Sequence, residues 1–306
     1  MRVFILITSI ALSVQIVIGQ KVELSNYSKQ FGITPVGKND KIFAPGLVST
    51  MAYNHASISF SPGCDEMYWS SEDEQSGHRV IWYSRVMEGS WSTPQILDIT
   101  KEFDGDCPIL SPDGKRLYFL SNRPLKSDQN RERERVWYAE NGNSGWGKAV
   151  ALDHSVNGKH LHWQVSVDKE YNIYFGSERS GSKGKDDIFY SEYKNGRYSE
   201  PVSLPKTINT VHHESTPFVA PDGSYLLFVR NKYGDDSYPS GLYISYRSKD
   251  GVWQESIYLG EDIDCSACPY VSPDGKYLFF KKDGKNFKNV YWVSASCIGS
   301  DIHDTK

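Results

Sequence analysis

Apolar positions along the chain fall in short runs rather than in helical stripes, and the runs recur. In the plainest stretch an apolar run at 216–219 is followed by the turn Ala220-Pro221-Asp222-Gly223 and a second run at 225–229. Comparable second runs at 67–69, 117–120 and 278–280 are continuously apolar instead of alternating, the pattern of strands buried on both faces. Third runs follow at 80–83, 136–138, 188–190, 242–244 and 290–293. Fourth pieces open on an aromatic residue at Trp91, Trp146, Tyr198 and Trp253. Pro94 and Pro201 lie in or beside these fourth pieces, which an edge strand tolerates and a central strand resists.

The turn sets the period. It reappears as Ser61-Pro62-Gly63-Cys64, Ser111-Pro112-Asp113-Gly114, a degenerate Ser166-Val167-Asp168-Lys169, and Ser272-Pro273-Asp274-Gly275. Its second residues fall at 62, 112, 167, 221 and 273, so the steps are 50, 55, 54 and 52. Pro presets φ and Gly supplies a positive φ, so the turn is architecture and not chemistry. Four-stranded units of this length, apolar on both faces with one polar edge, predict an all-β fold, a β-propeller of five four-stranded blades. The fifth repeat lacks a fourth strand, and 42–48 belongs to no blade of its own, so this N-terminal segment is expected to close the ring by completing the last blade. Six blades is the alternative if 20–41, a polar extension with a short strand at 33–36, hides further strands. The domain then spans 42–299, followed by a polar tail at 300–306.

Composition narrows the setting. Aromatics make up 13% of the 306 residues, with 20 Tyr and 8 Trp, which favours strands. A formal net charge of −4 supplies no global field for nucleic acid or an anionic membrane. Residues 1–19 carry Arg2, an apolar run and small residues before Gln20, the pattern of a secretory signal peptide, so the mature chain is expected in the periplasm or secreted, with no transmembrane segment. Five cysteines, at 64, 107, 265, 268 and 297, permit disulfides in that compartment but leave their pairing open. Cys265-x-x-Cys268 lacks the second CxxC of a zinc site.

The stretch Glu214-Ser-Thr-Pro-Phe-Val-Ala-Pro-Asp-Gly, with Phe175-Gly-Ser-Glu-Arg-Ser-Gly and Asp187-Ile-Phe-Tyr-Ser, resembles the WD-like repeat of TolB-type propellers, found in many exported bacterial proteins. The resemblance covers 42–297 and implies the propeller fold. It is to the repeats and not to TolB itself, whose propeller follows a separate α/β domain. Members of the family include partner-binding platforms.

Seven of the eight His lie in the loops expected on one face of the disc: His55, His78, His154, His160, His162, His212 and His213. Counted back from the turn, His55, His160 and Glu214 share the seventh position and Asp106 the sixth. Equivalent positions of successive blades converge on the channel mouth, where His55, Asp106, His160, His162, His213 and Glu214 are the candidate ligand-binding set. His55, His160 and Glu214 would be the ligands if a divalent metal is held there; the other reading is solvated or structural His. Arg123, Arg179 and Arg230 recur just after the second strands and suit an anionic glycan, or else staple the loops. The alternating Arg131-Glu-Arg-Glu-Arg135 reads as a solvated loop. No P-loop, GxSxG, HExxH or GxGxxG motif is present. The expected function is an exported binding module offering its loop face to a protein or glycan partner. The alternative is a carbohydrate-active lyase or hydrolase centred on the mouth.

Overall fold

Each repeat folds into an antiparallel sheet because its continuous apolar runs can be buried only between neighbours on both faces. In the computed structural model the described residues are 22–299, apart from 33, 51, 55, 74, 76, 126–133, 160–161, 233–238 and 283–287. The first four blades contain, in order, Ile58–Phe60, Glu66–Glu72, Arg79–Met87 and Gln95–Ile96; Asp106–Leu110, Arg116–Ser121, Arg135–Gly142 and Val150–Ala151; His162–Val167, Ile173–Ser177, Asp187–Ser191 and Val202–Ser203; and His213–Val219, Tyr225–Asn231, Gly241–Tyr246 and Ile257–Tyr258. The fifth holds Ala267–Val271, Tyr277–Lys281 and Tyr291–Ser294, and its outer strand is the N-terminal Lys41–Ile42. The fold is therefore a five-bladed β-propeller, and the six-bladed alternative falls away.

Closure is shorter than 42–48. Lys41 pairs with Trp292 and Ile42 with Tyr291, Phe43 N donates to Val290 O at 2.8 Å, and the chain then turns away. The turn buries Phe43 completely against Phe31, Phe279 and Trp292, with ring centroids 4.8–5.2 Å apart. The polar extension is likewise more than a leader. Leu24–Tyr27 and Ser28–Phe31 form short helical turns that bury Leu24 and Phe31. The Gln30 side chain both accepts from Trp91 N and donates to Trp91 O at 3.1 Å, in place of a neighbouring strand. Of the strand expected at 33–36, residue 33 lies outside the described residues, and Val36 makes a single bridge to Asn39 across a turn.

Two further expectations are corrected. The third turn is Asp168-Lys169-Glu170-Tyr171, two residues beyond the stretch named above, because Tyr171 N donates to Asp168 O as Gly223 N does to Ala220 O. Tyr171 takes the positive φ (66°) that Gly supplies elsewhere. The aromatics Trp91, Trp146 and Tyr198 do not open the outer strands. They lie in two-residue hairpins that extend the preceding strands, opposite Val86, Asn141 and Tyr193, and the outer strands follow.

A repeated side-chain device joins the linkers after the first, second, third and fifth blades to the blades they follow. Thr100 accepts from Ile81 N, and the Asn157 and Asn209 amides bond both N–H and C=O of Val136 and Ile188; Ser49 does the same to Val290. Backbone groups at the heads of these four third strands thereby gain partners where the two-residue outer strand does not reach.

Candidate functional site

The innermost strands of the second, fourth and fifth blades carry bulges at Cys107-Pro108, Thr216-Pro217 and Cys268-Pro269. Cys107, Thr216 and Cys268 sit at φ 49°, 46° and 55°, a conformation uncommon for residues with side chains. Pro fits the next position because it brings no N–H to a place where the ladder is broken. The buried Gln164 amide donates to Pro217 O at 3.1 Å and Pro269 O at 3.2 Å, so it ties three blades together at their innermost strands.

Above this bridge the predicted residues divide. His55 and His160 lie outside the described residues, as does the His162 side chain; the His162 backbone pairs with Gly176. Counted from the corrected third turn, the residue aligned with His55 and Glu214 is His162 and not His160. Asp106 is buried: it accepts from Ser70 Oγ at 2.5 Å, from Arg79 Nη1 at 2.8 Å and from Cys107 N at 2.8 Å. Glu214 is fully buried and accepts from Arg230 Nε at 2.8 Å, from Thr210 Oγ1 at 2.6 Å and from Thr210 N at 3.0 Å. His213 is half-buried, with Nδ1 3.3 Å from an Asp186 carboxylate oxygen. Among the described residues no group of three or more His, Cys, Asp or Glu side chains could hold a metal ion.

The three recurring arginines each reach back to the linker that leads into their own blade. Arg123 donates to Ile99 O, Arg179 to Ser155 O and Val156 O, and Arg230 to Ile208 O. Their guanidinium groups lie over Trp137, Phe175 and Tyr243 at 4.2–5.3 Å from the ring centroids. These are the stapling contacts of the repeat, and they cap carbonyls that the short linker turns leave unpaired.

Sequence reasoning missed an ion network. Arg79 bonds Asp104, Asp106 and Glu134, and Asp104 also meets His78 Nδ1 at 3.0 Å. Burial works against the Arg79 charge, but Asp106, Glu134 and Asp104 together hold its pKa above the ordinary value. Arg79 and Glu134 hold equivalent positions of successive blades, each three residues before the tryptophan, Trp82 or Trp137, that pairs with the second strand, and that shared register was the available signal. In the stretch read as a solvated loop, 131–133 lie outside the described residues, while Glu134 is part of this network and Arg135 is only 1% exposed.

Lys281, also missed, is fully buried at the end of the fifth blade's second strand. Burial lowers its pKa to about 7 against the attraction of Cys268, Asp106 and Cys107, while burial pushes the Cys268 thiol up to about 12. Between pH 7 and about 10.4 the unfolded chain holds a proton that folded Lys281 lacks, so this group's contribution to stability rises with pH across that window. Below pH 7 the cost of a buried ammonium is fully present. Lys281→Met is therefore expected to stabilise the protein at pH 6 by on the order of 2 kcal/mol, with the gain shrinking by pH 9. Thermal melts of both proteins at the two pH values check this, and a gain independent of pH would contradict it.

A cleft of 840 Å³ lies elsewhere, between the first and second blades, and its wall includes Glu66, Tyr68, Tyr83 and Trp146. The Tyr68 and Tyr83 rings stack at 6.2 Å, and Trp146, from the hairpin of the second blade, meets Tyr68 edge-on at 6.0 Å. Tyr68 donates to Glu66 Oε2 at 2.6 Å and Tyr83 to Gln95 Oε1 at 2.7 Å.

No protein-family model matches the sequence, and no curated protein matches it. Among solved structures the chain is similar to TolB from Acinetobacter baumannii, at 14% identity over 78% of this chain with a TM-score of 0.49. It spans about half of that protein, 53%. It is also similar to hydrazine synthase from Kuenenia stuttgartiensis (14% identity, 84% of this chain and 81% of that one, TM-score 0.46) and to a gluconolactonase from Xanthomonas campestris (9%, 90% and 94%, 0.44). The likeness is one of fold. No helix among the described residues is long and apolar enough to cross a membrane.

Proposed function

We propose that the chain is an exported binding module, a five-bladed disc that offers surfaces to a protein or glycan partner and performs no chemistry at its channel mouth. The observation that supports this reading is the state of the mouth carboxylates. Asp106 and Glu214 are 2% and 0% exposed and each is bonded to an arginine, Arg79 and Arg230. A general acid or base must come within hydrogen-bond reach of its substrate, and these groups are committed inward. The stapled loops make a rigid platform, and rigid surfaces bind with little ordering cost. Export rests on the signal-peptide pattern of residues 1–19.

The test is to incubate the mature protein with a panel of polysaccharides and measure affinity-gel retardation alongside new reducing ends and the ultraviolet absorbance of unsaturated uronates. Neither product signal should rise above the blank. Turnover abolished by Asp106→Asn or Glu214→Gln would overturn the binding reading in favour of a hydrolase or lyase.

A further inference from the structure

The pseudo-fivefold repeat lets one blade interface be compared with another. Between the second and third blades the inner face carries Tyr118 and Tyr138, as the first blade carries Tyr68 and Tyr83 at the same register. There the space is filled. Arg116 lies 4.8 Å from the Tyr138 ring, 4.6 Å from Tyr171 and 5.0 Å from Tyr193, and Tyr198 Oη meets Tyr118 Oη at 3.2 Å. Between the fifth and first blades Phe31 and Phe43 of the N-terminal segment do the filling.

Between the first and second blades three substitutions empty the same volume. Glu66 stands where Arg116 stands, five residues after the first residue of its turn. Asn141 stands in the hairpin where Tyr193 stands, and Gly114 takes the turn position of Tyr171. The outer strand changes too: Gln95 faces Tyr83, where Val150 faces Tyr138 and Val202 faces Tyr190. One interface is thus left open and made polar while its aromatic rings are kept.

We infer that this cleft binds a neutral oligosaccharide, an inference that rests on reading the protein as a binding module. A pyranose offers an apolar C–H face and a rim of hydroxyls. The half-buried rings of Tyr83 and Trp146 match the first, since aromatic faces are electron-rich. Glu66, Gln95, Arg85 and the tyrosine hydroxyls match the second. The charged groups of the wall, Glu66 and Asp98 against Arg85 and Lys101, balance, so neither an anionic nor a cationic chain is favoured. A volume of 840 Å³ lies within the range of about 300–1,000 Å³ usual for ligand pockets and leaves room for more than one sugar ring.

Isothermal titration of the mature protein with cello-, malto- and manno-oligosaccharides, and with oligogalacturonate as the charged comparison, tests the inference. At least one neutral series should bind. Tyr83→Ala should weaken it about tenfold by removing one stacking ring. Glu66→Arg should abolish it by filling the cleft as Arg116 fills its own, with the melting temperature kept or raised. No neutral ligand, a preference for the charged one, or unchanged affinity in Glu66→Arg would each overturn the cleft assignment. Turnover of a bound oligosaccharide by the wild type would instead sink the binding-module reading and leave the cleft assignment standing.

Discussion

Phe43→Ala is expected to destabilise the protein by about 4 kcal/mol, the range for a large aromatic lost from a packed core. Phe43 is fully buried, and its ring meets Phe31, Phe60, Phe279 and Trp292 at 4.8–6.2 Å. It also sits at the seam, since its N–H continues the ladder that Lys41–Ile42 form with the last blade. The loss therefore loosens the ring closure as well as leaving a cavity. Deleting residues 22–43 should be worse, because the third strand of the fifth blade is left with an open edge and the aromatic cluster with Trp91 is lost. Deleting 300–306 is expected to leave stability almost unchanged. Urea denaturation of the variants ranks them, and equal midpoints for the two deletions would refute closure by the N-terminal strand.

The second large effect belongs to the Arg230–Glu214 pair. Both side chains are at most 2% exposed, so removing either partner strands a charge among the apolar residues of the fourth blade. Arg230→Met and Glu214→Leu are each expected to cost about 3–5 kcal/mol when made alone. The double replacement Arg230→Met with Glu214→Leu should recover much of that loss, because neither charge then remains. The recovery is expected to be incomplete, because Arg230 also bonds Ile208 O at 2.8 Å and Ser256 Oγ at 3.1 Å. Denaturant curves of the four proteins form a double-mutant cycle. Additive losses would show that the pair does not act as a unit.

The five-blade order was readable because three of the turns spell Pro-Asp-Gly and the second strands are continuously apolar. What escaped reading has physical causes. In the third turn Tyr171 fills the left-handed position without a Gly, so the sequence pattern points two residues early and aligns His160 where His162 belongs. The aromatic that opens each hairpin looks like the start of a strand, because it too packs against the neighbouring blade: Trp146 on Tyr68, Trp253 on Tyr174. Gln30 acts as a strand by its side chain alone, which leaves no periodicity to find.

The candidate site was legible in part. The Arg123, Arg179 and Arg230 series was visible as a repeat, and the structure assigns its bonds to linker carbonyls. Glu66 was invisible as a site residue because it takes its meaning from Arg116, and the two are comparable only once the register of both blades is known.

The division between a structural mouth and a binding cleft can be measured directly with one pair of variants. Glu214→Gln keeps the shape of the mouth and removes its charge; Glu66→Arg fills the cleft and leaves the mouth untouched. Titrated with the same neutral oligosaccharide under the same conditions, Glu214→Gln should bind within about threefold of the wild type and Glu66→Arg should show no heat of binding. The reverse pattern, binding lost at Glu214 and kept at Glu66, would place the site at the channel mouth and contradict the account.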